Sequence, residues 1–286
     1  MAETAEAEGA KKDHGKAGRN LPLAIAVGVL LGAVALGCLL LWDGVLFVVL
    51  GVAAVCIGVS EITSGMATRG IRIFAPIMYV GVAAVSVAAY VWGPAAMVGT
   101  FGGLVLLLML AQLTRGTDQY VRDTTANIMV AAYLPLMLGF AMLTLATDDP
   151  AGNLRIIVFI CLTVSSDIGG YFAGGLFGSH PMAANISPKK SWEGFAGSVV
   201  FQMLIGIWLF TWLLDAPWWA GAITGAVMAA TATAGDFIES GIKRDLGIKD
   251  MGSVVPGHGG LMDRLDSLIP NAFVSWVLFT LLLSNT

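Results

Sequence analysis

The sequence predicts an all-α, polytopic integral membrane protein of about nine transmembrane helices, with its N-terminus in and its C-terminus out. Three observations carry that prediction. Hydrophobic residues make up 57% of the 286 positions and charged residues only 12%, where a soluble domain holds about 25% charged residues. Apolar stretches of roughly 20 residues, the length that crosses a bilayer, recur along the chain. Lysine and arginine fall on one side of the alternation that those stretches define.

In chain order, residues 1–20 are polar, rich in Ala, Glu and Lys, and show no hydrophobic period, so they read as a disordered inner tail. Residues 21–146 hold an N-terminal set of spans at about 21–42, 45–60, 73–93, 95–113 and 126–146. Residues 147–286 hold four more, at about 154–173, 194–214, 218–238 and 267–284, and carry most of the polar residues that a span would avoid. Every span must be helical, because lipid offers the backbone no partner. With the N-terminus inside, fourteen of the fifteen Lys and Arg residues lie on the inner side, Arg155 being the exception. Trp42, Trp92, Trp212, Trp218 and Trp219 fall near outer span ends, where interfacial aromatics belong. Cys38, Cys56 and Cys161 lie in apolar stretches without a CxxC partner and read as small buried hydrophobes. The Ala35–Cys38 stretch is followed by apolar sequence to Trp42, so it reads as an uncleaved span.

The two longest inner loops, about 174–193 and 239–266, concentrate the polar residues, which places the chemistry at the inner surface. Asp236 closes the eighth span, and Glu239, Ser240 and Lys243 follow on its helix face. Asp263 and Asp266, three apart, open the ninth span. Hard carboxylate oxygens converging from two helix ends suit Mg²⁺. The alternative for Asp263 and Asp266 is helix capping, since negative charge is favoured at an N-terminus. Lys243, Arg244, Lys249 and Arg264 are suited to phosphate, against the plainer reading that inner loops are basic in any membrane protein. Pro256-Gly257-His258-Gly259-Gly260 is a sharp turn whose glycines let backbone N–H groups approach phosphate.

Asp167 lies within the sixth span, and an intramembrane carboxylate is a functional candidate by default. Gly170, Gly174 and Gly178 follow at four-residue spacing, which equally reads as a helix-packing seam. Lys189 and Lys190, in Ser187-Pro188-Lys189-Lys190-Ser191-Trp192-Glu193-Gly194, suit a nucleotide triphosphate, with Lys190 and Trp192 as interfacial anchors the alternative. Glu61, Arg69 and Arg72 read as an ordinary loop, as do Asp118, Arg122 and Asp123.

The run Ser240-x-x-Lys243-Arg244, then Lys249-Asp250, then His258-Gly259-Gly260-x-x-Asp263-Arg264-x-Asp266 resembles the signature of the phosphatidate cytidylyltransferases. Asp167 with Gly169-Gly170-Tyr171, and the 187–194 stretch, resemble that family's upstream motif. The likeness is strong over about 160–270; Val255, Ser191, Gly175 and Ser179 depart from the family pattern. The resemblance implies that CTP and phosphatidic acid are joined into CDP-diacylglycerol with release of pyrophosphate, in a helical, usually homodimeric membrane protein needing Mg²⁺ and admitting K⁺ as a second cation. It implies Asp236, Asp263, Asp266 and Asp167 as metal ligands, Lys243, Arg244, Lys249 and Arg264 as phosphate ligands, and Ser240 and His258 as substrate-binding groups. It also implies a multi-pass protein of the plasma membrane whose site faces the cytoplasm, with the lipid bilayer and no nucleic acid as partner. A CTP-dependent lipid-alcohol kinase and a membrane transporter are the competing readings. A transporter predicts polar residues spread over several spans at mid-depth, whereas here they crowd one surface.

Overall fold

The computed structural model of the protein describes residues 21–148, 151–183, 186–252, 254 and 259–283, without the side chains of 21–27, 43, 151, 188 and 189. The expected tail at 1–20, Val255, His258 and the Lys189 side chain therefore lie outside the described residues. Among the described residues the fold is helical but for one small hairpin. Its helices are α1 (Leu21–Leu40), α2 (Val45–Ala67), α3 (Ala75–Leu113), α4 (Tyr120–Leu145), α5 (Ala151–Phe177), α6 (Trp192–Leu213), α7 (Trp218–Leu246) and α8 (Met262–Leu282). Seven of them, α2 to α8, are long and apolar enough to cross a membrane. Large apolar side chains such as Val80, Leu106, Leu110 and Trp208 stand exposed on them, as a lipid-facing wall requires.

Helix α3 is two arms rather than one rod. Gly93 leaves the helical region at φ 79° and ψ −166°, immediately before Pro94, which has no N–H to continue the ladder. The chain folds back there, because the Leu104 side chain packs against Gly81, residues that a straight helix would hold about 35 Å apart. The sequence-based division between 93 and 95 coincides with this break. Helix α4 carries a π turn over Ala132–Leu136 that absorbs Pro135.

The C-terminal half packs closest. Gly206 and Gly221 set the backbones of α6 and α7 in contact, and Gly225 admits the Gln202 backbone. Between α5 and α6, a Cβ on Gly169 would lie 2.8 Å from Phe201 Cβ, and Gly174 lies against Gly194. Small residues bring helices together where no hydrophobic effect drives them.

The expected inner loops are shorter than hydropathy suggests, because helices run on past their apolar stretches. Helix α2 continues to Ala67, so Glu61 is a helical residue and not part of a loop. Helix α5 reaches Phe177, and β1 (Pro181–Ala183) then pairs antiparallel with β2 (Ser187–Ser191). Helix α7 reaches Leu246 and ends on Gly247 at φ 73°, with the Gly247 and Ile248 N–H groups donating to the Arg244 and Lys243 carbonyls. Hydropathy marks where lipid ends; the polar residues beyond it keep the helix where other helices cover them.

Candidate active site

Two helix ends supply the centre. On α7, Asp236, Glu239 and Lys243 lie three and four residues apart and share a face. On α8, Asp263 and Asp266 share the first turn. Gly235 lets the two helices meet at this level, since a Cβ there would strike the Asp266 carbonyl and lie 2.6 Å from Pro270 Cγ. The Asp266 carboxyl consequently sits against those of Asp236 and Glu239, while its Oδ1 accepts the Ser267 N–H at 2.7 Å. Lys243 Nζ bridges the helices, donating to Glu239 Oε2 at 2.9 Å and Asp263 Oδ1 at 2.7 Å.

Asp263 also orders the connection before α8. Its Oδ2 accepts the N–H groups of Met251 at 3.1 Å and Gly260 at 2.8 Å. Three of the roughly four acceptor sites of that carboxylate are thus used by the protein. The same connection rests on Glu61 of α2, whose oxygens accept the N–H groups of Leu261 at 3.0 Å and Met262 at 2.8 Å. Gly252 and Gly260 pass so close to the Glu61 carboxylate that a side chain would not fit. Glu61 is buried and caps α8, where the helix dipole favours an anion. Arg69 does the reciprocal work at the end of α7, donating to the Leu246 carbonyl at 3.2 Å.

The third contribution comes from α5 and the hairpin. Lys190 of β2 forms an ion pair with Asp236, and its Nζ lies 5.0 Å from the Phe237 ring centroid. Asp167 feels Asp236, Lys190 and Arg264. Asp167, Lys190 and Asp236 line a cleft of about 190 Å³, with Ser166, Ser198 and Ser267 in its wall. The hairpin is fastened at both sides. Ser191 caps α6 by accepting the Gly194 N–H at 3.1 Å. Glu193 accepts the N–H groups of Ser179 and His180 at 3.2 Å each and meets His180 Nδ1 at 2.5 Å.

Helix α4 reaches the centre through its π turn. Tyr133 lies within electrostatic range of Asp236, Glu239 and Asp266, and its hydroxyl is buried with no partner among the described residues. Glu239 Oε1 is likewise buried without a donor. Tyr133 and Glu61 are the functional candidates that sequence reasoning missed. For Glu61 a signal existed, a carboxylate inside an apolar helix; for Tyr133 none did.

Of the candidates read from sequence, Asp167, Lys190, Asp236, Lys243, Asp263 and Asp266 are brought together. Arg264 lies within reach of Asp167, and Ser240 stands on α7 one residue after Glu239. Arg244 and Lys249 are exposed, in the last turn of α7 and the connection after it. Among the described residues no three His, Cys, Asp or Glu side chains form a ready metal cage. The donor set still fits Mg²⁺. Asp236, Glu239 and Asp266 crowd together with one buried oxygen lacking a donor, and Mg²⁺ usually takes only one or two carboxylates beside water and phosphate.

The model of the cytidylyltransferase family matches residues 23–282. A phosphatidate cytidylyltransferase of Mycobacterium leprae is 38% identical over 287 residues, covering 95% of this chain and 91% of its own. One of Mycobacterium tuberculosis is 37% identical over 294 residues, covering 96% and 88%. One of Synechocystis is 39% identical over 137 residues, covering 47% and 46%. With the family model and the mycobacterial relatives spanning nearly the whole chain, this protein belongs to the cytidylyltransferase family.

Proposed function

We propose that the chain transfers a cytidylyl group from CTP to phosphatidic acid, forming CDP-diacylglycerol and releasing pyrophosphate. The observation that carries the reading is the meeting of Asp236, Glu239 and Asp266 with Lys190 and Lys243 at one end of an apolar bundle. A phosphatidate oxygen is already ionised at neutral pH, so the attack on the CTP α-phosphorus requires no strong base. What the reaction requires is that two polyanions be held in line and that charge on the leaving pyrophosphate be offset.

The residues divide accordingly. Asp236 and Asp266 would hold Mg²⁺, with Asp263 and Asp167 as further carboxylates beside them and K⁺ as a second cation. Bound there, Mg²⁺ would supply Lewis-acid stabilisation of the phosphoryl oxygens. Lys190 and Lys243, now paired with carboxylates, would turn to phosphate oxygens as those carboxylates engage cations. Arg264, Arg244, Lys249, Lys189 and His258 complete the anion-binding set of this reading, and Ser240 the polar one. The serine-lined cleft beside Asp167 would take part of the substrate.

The same reading gives the chain nine crossings, counting α1 and the two arms of α3, with the N-terminus in, the C-terminus out and the site on the cytoplasmic face of the plasma membrane. The fold-back at Gly93 and the one-sided distribution of Lys and Arg support it. A homodimer is part of this reading as well.

The test supplies labelled CTP, phosphatidic acid and Mg²⁺ to the purified protein and follows pyrophosphate and the lipid product. Wild type should release pyrophosphate and form CDP-lipid, and Asp266→Asn should lose about two orders of magnitude or more in kcat. CDP and a phosphorylated lipid would instead mark γ-phosphoryl transfer.

A further inference from the structure

At the same end of the bundle, apart from the carboxylates above, three arginines converge on one aspartate. Asp123, in the first turn of α4, is fully buried. Its Oδ2 accepts from Arg72 Nε at 3.3 Å and Gln112 Nε2 at 3.2 Å, and its Oδ1 from Arg122 at 3.2 Å. Arg122 also donates to the Gly70 carbonyl at 2.6 Å. The Asn127 side chain accepts the Phe74 N–H at 2.9 Å and donates to the Arg72 carbonyl at 3.0 Å. These bonds fix the α2–α3 connection to α4, yet leave the Arg72 and Arg122 side chains 49% and 42% exposed.

Arg115, in the α3–α4 connection, approaches from another side. Its guanidinium carbon lies 3.6 Å from the Phe74 ring centroid, and its Nη1 is buried with no acceptor among the described residues. Burial, and then the like charge of Arg72, push its pKa below the usual guanidinium value, with Asp123 opposing. One carboxylate cannot satisfy three guanidinium forks of five N–H groups each. Three arginines against Asp123 leave two positive charges in excess of it, the exposed Asp118 being the other carboxylate of this connection. Arg115 itself is partly exposed, but its Nη1 is shielded from water with no acceptor among the described residues, which is costly until an anion meets it.

The anion has a source in the surroundings. Leu110 and Leu113 at the end of α3, and Val121 beside Arg122, are exposed apolar side chains. An acyl chain can lie along them with its headgroup at the arginines, whose planar forks match phosphate oxygens in pairs. We propose that Arg72, Arg115 and Arg122 form a binding site for the phosphate headgroup of an anionic glycerophospholipid, separate from the catalytic carboxylates. The site needs no transfer chemistry and stands independently of the function proposed above.

The experiment places the full chain in phosphatidylcholine nanodiscs containing a minor fraction of phosphatidylglycerol and counts retained phosphatidylglycerol by native mass spectrometry. Wild type should retain one molecule more than Arg115→Gln, whose affinity should fall about tenfold with loss of a charge-assisted bond, and Arg115→Lys should recover part of it. Equal retention by wild type and Arg115→Gln overturns the proposal. Release of the retained lipid by excess inorganic phosphate in neutral nanodiscs reassigns the cluster to soluble anions and overturns the lipid assignment. Should Arg115→Gln fail to fold, a phosphatidylglycerol with a photoreactive headgroup on wild type reads the same point. Adducts should map to residues 110–123, and adducts spread evenly over the lipid-facing helices count against the site.

Discussion

The two halves of the molecule are built differently. In the C-terminal half, α5, α6 and α7 meet through glycines at backbone contact, and the pairs Gly206–Gly221 and Gly169–Gly197 leave no room for side chains. In the N-terminal half, contact is made by large side chains such as Leu104, Met97 and Leu138, and several glycines, Gly99, Gly102 and Gly103 among them, face open space. The tight half carries Asp167, Lys190, Asp236 and Lys243; the looser half reaches across to it with Glu61, Arg69 and Tyr133. The difference teaches that one half fixes where the charges are, and the other holds the connection that joins them.

The largest expected effect tests the packing contrast itself. In α7, a Cβ on Gly221 would lie 2.6 Å from the Gly206 carbonyl carbon and 2.9 Å from the Ile207 nitrogen. Gly221→Leu must force two backbones apart and should cost about 3 kcal/mol or more, read as a large fall in the thermal midpoint in detergent. Gly102→Leu, with nothing within 4 Å of its Cβ, should leave the midpoint unchanged or slightly raised, since Leu is the better helix former. Equal losses from both would remove the distinction between the halves.

The next effect tests the reach across. Glu61→Ala leaves the Leu261 and Met262 N–H groups unpaired in a buried place. It should cost about 2 kcal/mol of stability and lower turnover about tenfold or more through displacement of Asp263 and Asp266. Glu61→Gln keeps one acceptor oxygen and should fall between Ala and wild type in both respects. Turnover unaffected by Glu61→Ala would show that the α8 turn holds its place from the C-terminal half alone.

This asymmetry also explains what was legible in the sequence. Asp263 and Asp266 at three-residue spacing, Asp236 with Lys243 one helical face along, and Lys190 within a basic turn are local patterns, and their convergence follows from two helix ends sharing one surface. The division between the spans at 93 and 95 likewise coincides with the fold-back of α3 at Gly93-Pro94. Glu61 carried a local signal, a carboxylate in an apolar stretch, but its role was not legible, because its partners lie 200 and 201 residues away and because hydropathy ended its span at about residue 60. The hairpin at 181–191 was passed over as loop: its strands are three and five residues long and show no apolar alternation to report them. The Arg72, Arg122 and Asp123 network read as ordinary loop charge, since nothing in sequence tells a buried aspartate from a solvated one.

The smallest expected effect is also the sharpest, because it separates chemistry from packing within one residue. Tyr133 lies in the π turn over Ala132–Leu136, within electrostatic range of the carboxylates, and π turns recur at functional positions. Its hydroxyl is buried without an acceptor among the described residues. Tyr133→Phe therefore removes an unpaired polar group, and stability should hold or rise. If that hydroxyl serves a substrate oxygen, kcat should fall about threefold to tenfold, the weight of one neutral hydrogen bond, while the midpoint stays put. Activity and midpoint falling together would make Tyr133 a packing residue, and activity unchanged would leave its hydroxyl without a part in the reaction. A kcat loss with an intact midpoint would instead extend the working site into the N-terminal half, beyond the support that Glu61 gives.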